Sequence, residues 1–255
     1  MKNLGIKIGI VVVTIAIIVL GLFFIVGKTQ KPKNPVATIV IEGYEKPIKI
    51  ELDPQSAPNA VANFIKLANS EFYTDYKMTI DSNRLIGDDS MEMAKLSQIM
   101  EYPQSDYTYG IKGDIIKNGI KNYIRHEKGV ITMLRNDYSF FGLTEEGYNS
   151  ANCNFALLTQ DIPDYNGNYA AFGKVIEGMD VLEQIAASRV EEETTDTADT
   201  TDNKNTIIIK SITVDTFGVD YGMPEYVNYE ENYEKVNQLY SQYFGGSTST
   251  VDLGE

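Results

Sequence analysis

Cysteine and histidine occur once each, as Cys153 and His126, and tryptophan not at all. A lone cysteine excludes a disulfide within the chain and leaves the redox compartment open. One cysteine with one histidine is too few ligands for a zinc site of that kind, so neither a metal nor a cofactor is expected. Basic residues are also scarce, 22 against 36 acidic ones for a net charge of −14. That balance excludes nucleic acid as a partner, because neutralising phosphates takes clustered Lys and Arg.

What is present begins with a short segment, 1–7, and then residues 8–27, which carry no charge and are nearly all Ile, Val, Leu, Phe, Ala and Gly. A helix of that length reaches about 30 Å, enough to span a bilayer. Phe24 to Lys28 offers no small-x-small cleavage site, so an uncleaved single-pass anchor in the cell membrane is expected. Lys2 and Lys7 before the run nearly balance Lys28, Lys31 and Lys33 after it, so charge does not fix orientation. We take the N-terminus as cytoplasmic and the domain as extracytoplasmic, with the reverse topology open. Residues 28–35 are a Lys/Pro linker.

Beyond the linker, Val36–Ile41 and Ile48–Leu52 alternate around Glu42-Gly43, the pattern of a β-hairpin. Ser56 with Pro58 opens a helix whose apolar stripe is Val61, Phe64, Ile65 and Ala68. Residues 91–108 read as a surface excursion or a short helix. Phe155–Leu158, then Tyr165-Asn166-Gly167, then Ala170–Val175 read as strand, tight turn, strand, because Asn-Gly between apolar runs is a strong hairpin signal. Val181, Leu182 and Ile185 have the spacing of a short amphipathic helix. The six acidic residues in 191–204 predict a solvated loop, and Ile207–Val214 a closing strand. In the tail, 218–255, Tyr226, Tyr229, Tyr233, Val236, Tyr240 and Tyr243 recur every three or four residues. They predict a helix over 224–244 that docks on its own domain or on a protein partner.

Several words in this order resemble a known family. NSANCNF at 149–155 and YAAFGKVIEGMD at 169–180, with Tyr109–Asp114, Asn118–Asn122 and His126–Met133 upstream, are similar to the cyclophilin-type peptidyl-prolyl cis-trans isomerases, most closely in their bacterial form. The resemblance covers 36–217. It implies a mainly β fold, an eight-stranded antiparallel barrel capped by two helices, with no free edge strands. It also implies a rotamase that assists protein folding by acting on proline-containing polypeptides. Such a reaction needs no nucleophile or metal: the amide must lose its resonance, and a cation that draws the lone pair onto the prolyl nitrogen assists.

Carried over by position, the resemblance implies a groove. Asn154 falls on a backbone-binding glutamine and Tyr169 on a bacterial tyrosine. Leu85 falls on a methionine of the proline pocket, Gly87 on a glutamine, Leu134 on an alanine, Arg135 on the next groove residue, Ala156 on the pocket-floor phenylalanine and Tyr165 on a leucine. Phe155 faces the core there. The family's catalytic arginine falls on Ile80, which has neither donor nor charge. Arg84 reaches the groove if the strand register slips, and is otherwise a cation at a strand end; Arg125 and Arg135 are the other candidates. Residues 136–148 are an insertion whose aromatics are expected to fold back onto the barrel beside the groove. Three functions follow: an isomerase with reduced activity, a catalytically inactive module that binds proline-containing segments or a protein partner, or a tethered domain whose groove the insertion closes.

Overall fold

The computed structural model describes residues 33–87, 96, 98–101, 109–190, 205–227 and 229–244. The apolar run 8–27 and the acidic segment 191–204 lie outside them. No helix among the described residues is long and apolar enough to cross a membrane.

Residues from Asn34 onward form one compact unit built on a closed barrel. The strands are β1 (Val36–Ile41), β2 (Ile48–Leu52), β3 (Tyr76–Ile80), β4 (Arg84–Gly87), β6 (Val130–Met133), β7 (Phe155–Leu158), β8 (Ala171–Glu177) and β9 (Thr206–Asp215); a short β5 (Gly110–Ile111) stands outside. Around the barrel the order is β1-β2-β8-β6-β7-β4-β3-β9, each neighbouring pair antiparallel. β9 pairs with both β1 and β3 and so closes the cylinder.

Period-two alternation supplies the inside. Ala37, Ile39, Ile41, Ile48, Ile50 and Leu52 of the first hairpin all point into the core. Two helices cap it: α1 (Pro58–Asn69) buries Val61, Phe64, Ile65 and Ala68, and α3 (Met179–Ala187) buries Val181, Leu182 and Ile185. Phe64 sits among Tyr73, Phe155 and Phe172 with ring centroids 5.3–5.5 Å away, the spacing of tilted and edge-on aromatic pairs.

Three expectations fail here in whole or in part, and a fourth is decided between its two readings. β7 and β8 are not a hairpin: β6 lies between them and pairs with both. Tyr165-Asn166-Gly167 instead follows a 3₁₀ turn, Pro163–Tyr165, within a longer crossing. Within 91–108 the short helix holds over the surface excursion: Leu96, Gln98 and Ile99 are helical, and Leu96 and Met100 are buried in the main core. Of the insertion's aromatics, Tyr148 packs against the main core as expected, but Phe140 and Phe141 turn away to the tail helix. Phe141 lies 6.4 Å from Tyr240 and from Tyr243, and Phe140 lies 6.1 Å from Tyr243, all on the tail helix. That helix, α4, runs Tyr229–Phe244 rather than from 224. Tyr226 and Val227 form a strand, β10, on β5, and Tyr226 packs edge-on against Tyr109, which takes it out of the helical stripe.

Neither Ser56 nor Ala57 caps α1; the helix has no cap from its own side chains. The buried carboxylate of Asp114 accepts the Ala60 N–H at 2.7 Å and the Asn59 amide at 3.3 Å. Asn59 in turn accepts the N–H of Glu225, which ties the tail to the start of the helix. Helix N–H groups favour the anion, yet burial outweighs them and lifts the Asp114 pKa from 3.8 to about 6. A carboxyl whose pKa rises on folding stabilises the fold below its unfolded pKa and loses that contribution as pH climbs through the folded one. Between about pH 4 and pH 6.5, wild type is expected to lose up to about 3 kcal/mol relative to Asp114→Asn. Denaturant melts of both proteins across that range check this, and parallel pH profiles would refute it.

Candidate active site

The β4–β7 register decides which side chains share a face. Leu85 pairs with Leu157, and Ile86 with Ala156, while Arg84 stands opposite Leu158. Leu85 and Leu157 belong to the main core. Ala156 and Leu158 belong to a second buried cluster with Val130 and Ala171, packed by Ile124, Leu134 and Ile162. Their sequence neighbours Ile131, Phe155, Leu157 and Phe172 point inward, so this second cluster lies on the barrel's outer face. It is an apolar floor built by β6, β7 and β8.

Two assignments change accordingly. Leu85, 1% exposed, belongs to the core and cannot touch a ligand; Ile86 is the β4 residue beside Ala156. Gly87 also faces inward, opposite Met78, and a side chain there would collide with the Tyr76 hydroxyl. That hydroxyl donates to Asn154 Oδ1 at 2.7 Å, so Gly87 makes room for the group that orients Asn154. Ile80 is 2% exposed within the main core.

Arg84 lies on the outer face. Asp81 fixes it through three contacts: Oδ1 accepts the backbone N–H groups of Asn83 and Arg84, both at 2.9 Å, and Oδ2 accepts Arg84 Nε at 2.9 Å. Its guanidinium carbon stands 5.4 Å from the centre of the Tyr165 ring. Tyr165 stacks on Tyr169 at 4.0 Å. Arg135 covers the Tyr169 ring at 4.6 Å and reaches Tyr148 of α2 (Thr144–Tyr148) at 5.0 Å. The result is a ladder of guanidinium, two tyrosines, guanidinium and tyrosine. Arg135 is steadied by the carbonyls of Asn168 and Asn136, each at 2.8 Å. Arg125 is exposed on its own loop.

Polar groups flank the floor on the same outer face. Thr132, paired with Ala156 across the sheet, meets His126 Nε2 at 3.0 Å. His126 Nδ1 lies 3.2 Å from Asn166 Oδ1, and its ring packs edge-on against Tyr165. The carboxamide oxygen can only accept, so Nδ1 carries the proton and Thr132 donates to Nε2. Burial holds the His126 pKa below its ordinary value, which keeps that tautomer neutral. Among the described residues no group of three or more His, Cys, Asp or Glu is arranged to hold a metal.

Of the residues expected at the site, the fold brings together Arg84, Arg135, Tyr165 and Tyr169, and sets Ala156 and Leu134 in the floor. Asn154 adjoins the floor: its carbonyl accepts the Leu134 N–H at 3.0 Å. Ile86, Thr132, His126 and Tyr148 escaped sequence reasoning. Ile86 was open to it, since two-residue alternation from Ala156 across a paired strand selects it; nothing in the spacing points to Tyr148.

The comparisons bear on the family and the fold. The sequence model of the cyclophilin type peptidyl-prolyl cis-trans isomerase/CLD family matches residues 36–214. Peptidyl-prolyl cis-trans isomerase A of Dickeya dadantii is 31% identical over 144 residues, 56% of this chain and 68% of that protein. A probable peptidyl-prolyl cis-trans isomerase of Brucella suis is 25% identical over 167 residues, 62% and 76% of the two chains. Among solved structures, a Cryptosporidium parvum cyclophilin type isomerase superposes with a TM-score of 0.52 at 19% identity, over 71% of this chain and 98% of that one. The same Cryptosporidium protein was also solved in the presence of the dipeptide Ala-Pro, and it superposes with a TM-score of 0.50 at 20% identity over the same shares. A barrel closed in this strand order, with a family match spanning most of its length, places the chain in the cyclophilin-type peptidyl-prolyl cis-trans isomerase family.

Proposed function

We propose that the chain isomerises prolyl peptide bonds, with the proline ring against the half-buried Ile86 at the edge of the floor, whose Ala156 is itself covered, and with Arg84 in place of the arginine that the family resemblance expects. The observation that carries this is the outward placement of Arg84, its guanidinium against Tyr165 beside the floor. Rotation must overcome a barrier of about 18–20 kcal/mol set by amide resonance. As the amide twists, its lone pair collects on nitrogen, and a nearby N–H donor stabilises that state more than the planar one. Among the described residues Asp81 engages Nε of Arg84 and nothing engages its terminal nitrogens, which leaves their N–H groups to turn toward the nitrogen. Asn154 and Tyr169 hold the flanking peptide.

A second reading, a module that binds proline-containing segments without turning them over, draws support from β3, where Ile80 faces the core and Thr79, opposite Ile86, carries no charge. Exchange rates of an Ala-Pro peptide separate the two. The isomerase reading predicts acceleration by the wild type and a loss of about a hundredfold in kcat/KM for Arg84→Gln. Binding with unchanged exchange rates, even at high protein concentration, would leave only the inactive module. Ile80→Arg is expected to destabilise the barrel by at least about 3 kcal/mol, because it buries an unpaired cation. A melting curve like that of wild type would contradict this.

The uncharged run 8–27 supports membrane attachment, with clients among extracytoplasmic proteins. The full chain is expected to stay with the membrane pellet after an alkaline wash and to yield its domain to protease added from outside. A full chain found in the supernatant would end the anchor.

A further inference from the structure

The cation at the far end of the ladder has no role in twisting an amide that Arg84 faces, yet it is held as firmly. Arg135 lies between the Tyr169 and Tyr148 rings and gives one N–H to Asn168 and one to Asn136. Its three other N–H groups, all on the terminal nitrogens, donate to nothing among the described residues. Gly147 allows the packing: a side chain there would stand 2.8 Å from the Asn136 carbonyl and 3.4 Å from Arg135 Nη1. Asp137, the nearest acid in sequence, attracts the guanidinium only beyond ion-pair distance; its carboxylate accepts the Ser139 N–H at 3.0 Å instead. The guanidinium is half-buried, so its spare donors sit where a partner is partly desolvated and a charged acceptor is favoured over water.

From this geometry we infer that Arg135 selects substrates with an acidic side chain near the proline, on the carboxylate-matching face of its terminal nitrogens. The inference rests on the isomerase reading and adds the substrate class to it. Steps of 5.4, 4.0 and 4.6 Å along the ladder put the two guanidinium carbons no more than about 14 Å apart, the reach of about four extended residues. The acid therefore belongs within about four positions of the proline. With a net charge of −14, the chain as a whole repels acidic peptides, so selection acts at contact range and not by long-range steering.

The test uses the full-length chain in mild detergent and peptides centred on Ala-Pro, with one Glu moved from four residues before the proline to four after, each against its Gln counterpart. At one position or more, Glu is expected to raise kcat/KM about tenfold at low salt, with the preference shrinking as salt rises. Arg135→Gln is expected to bring the Glu/Gln ratio to within about twofold, and Arg135→Lys to keep only part of it, since an ammonium lacks the fork. Equal rates for Glu and Gln at every position, or a ratio that survives in Arg135→Gln, would overturn the inference while leaving the isomerase reading intact. No acceleration of any peptide would overturn both. Should the Arg135 variants fail to fold, the wild-type ratio and its salt dependence decide alone.

Discussion

The site depends on one strand register. Arg84 opposite Leu158 and Ile86 opposite Ala156 is the pairing that turns a cation and an apolar side chain outward while Leu85 goes in. Side chains alternate with a period of two, so a slip of one residue would bury Arg84 and expose Leu85. Two features fix it. Leu85 and Leu157 sink into the core together, and Asp81 collects the N–H groups of the turn that enters β4. The same aspartate holds Arg84 Nε, so the residue that sets the register also aims the guanidinium.

Around this register the chain has exchanged sizes and roles relative to the family pattern its sequence resembles. The floor position carries the small Ala156, and the alanine position carries Leu134, which packs on the same cluster; volume lost at one point returns at its neighbour, as a close-packed interior requires. By that resemblance the arginine position falls on Ile80, which the fold buries in the core, and Arg84 stands on the adjoining strand. Gly87, in a glutamine position, admits the Tyr76 hydroxyl that orients Asn154. None of these exchanges is conservative by itself, and each makes sense only with its partner.

The barrel was legible only through the family resemblance; alternation marked the first hairpin, and the two capping helices showed in their stripes, Val61, Phe64, Ile65 and Ala68, then Val181, Leu182 and Ile185. Local signals misled where pairing is non-local. Asn166-Gly167 reads as a hairpin turn, but β6, from over twenty residues earlier, takes the place between β7 and β8. Positional carry-over put Leu85 in the groove because it counts residues and not faces. The tyrosine stripe of the tail is helical from Tyr229 onward, while Tyr226 is claimed by an edge strand and by Tyr109. The ladder joins residues from four separate stretches through ring stacking, which leaves no periodic trace.

The most direct measurement of the central claim is a structure of the protein with a bound Ala-Pro peptide. The account predicts the proline ring against Ile86 at the edge of the floor, with a terminal N–H of Arg84 within hydrogen-bonding distance of the prolyl nitrogen or its carbonyl. A peptide seated elsewhere on the barrel, or a guanidinium still wholly engaged by Asp81 and remote from the amide, would contradict it.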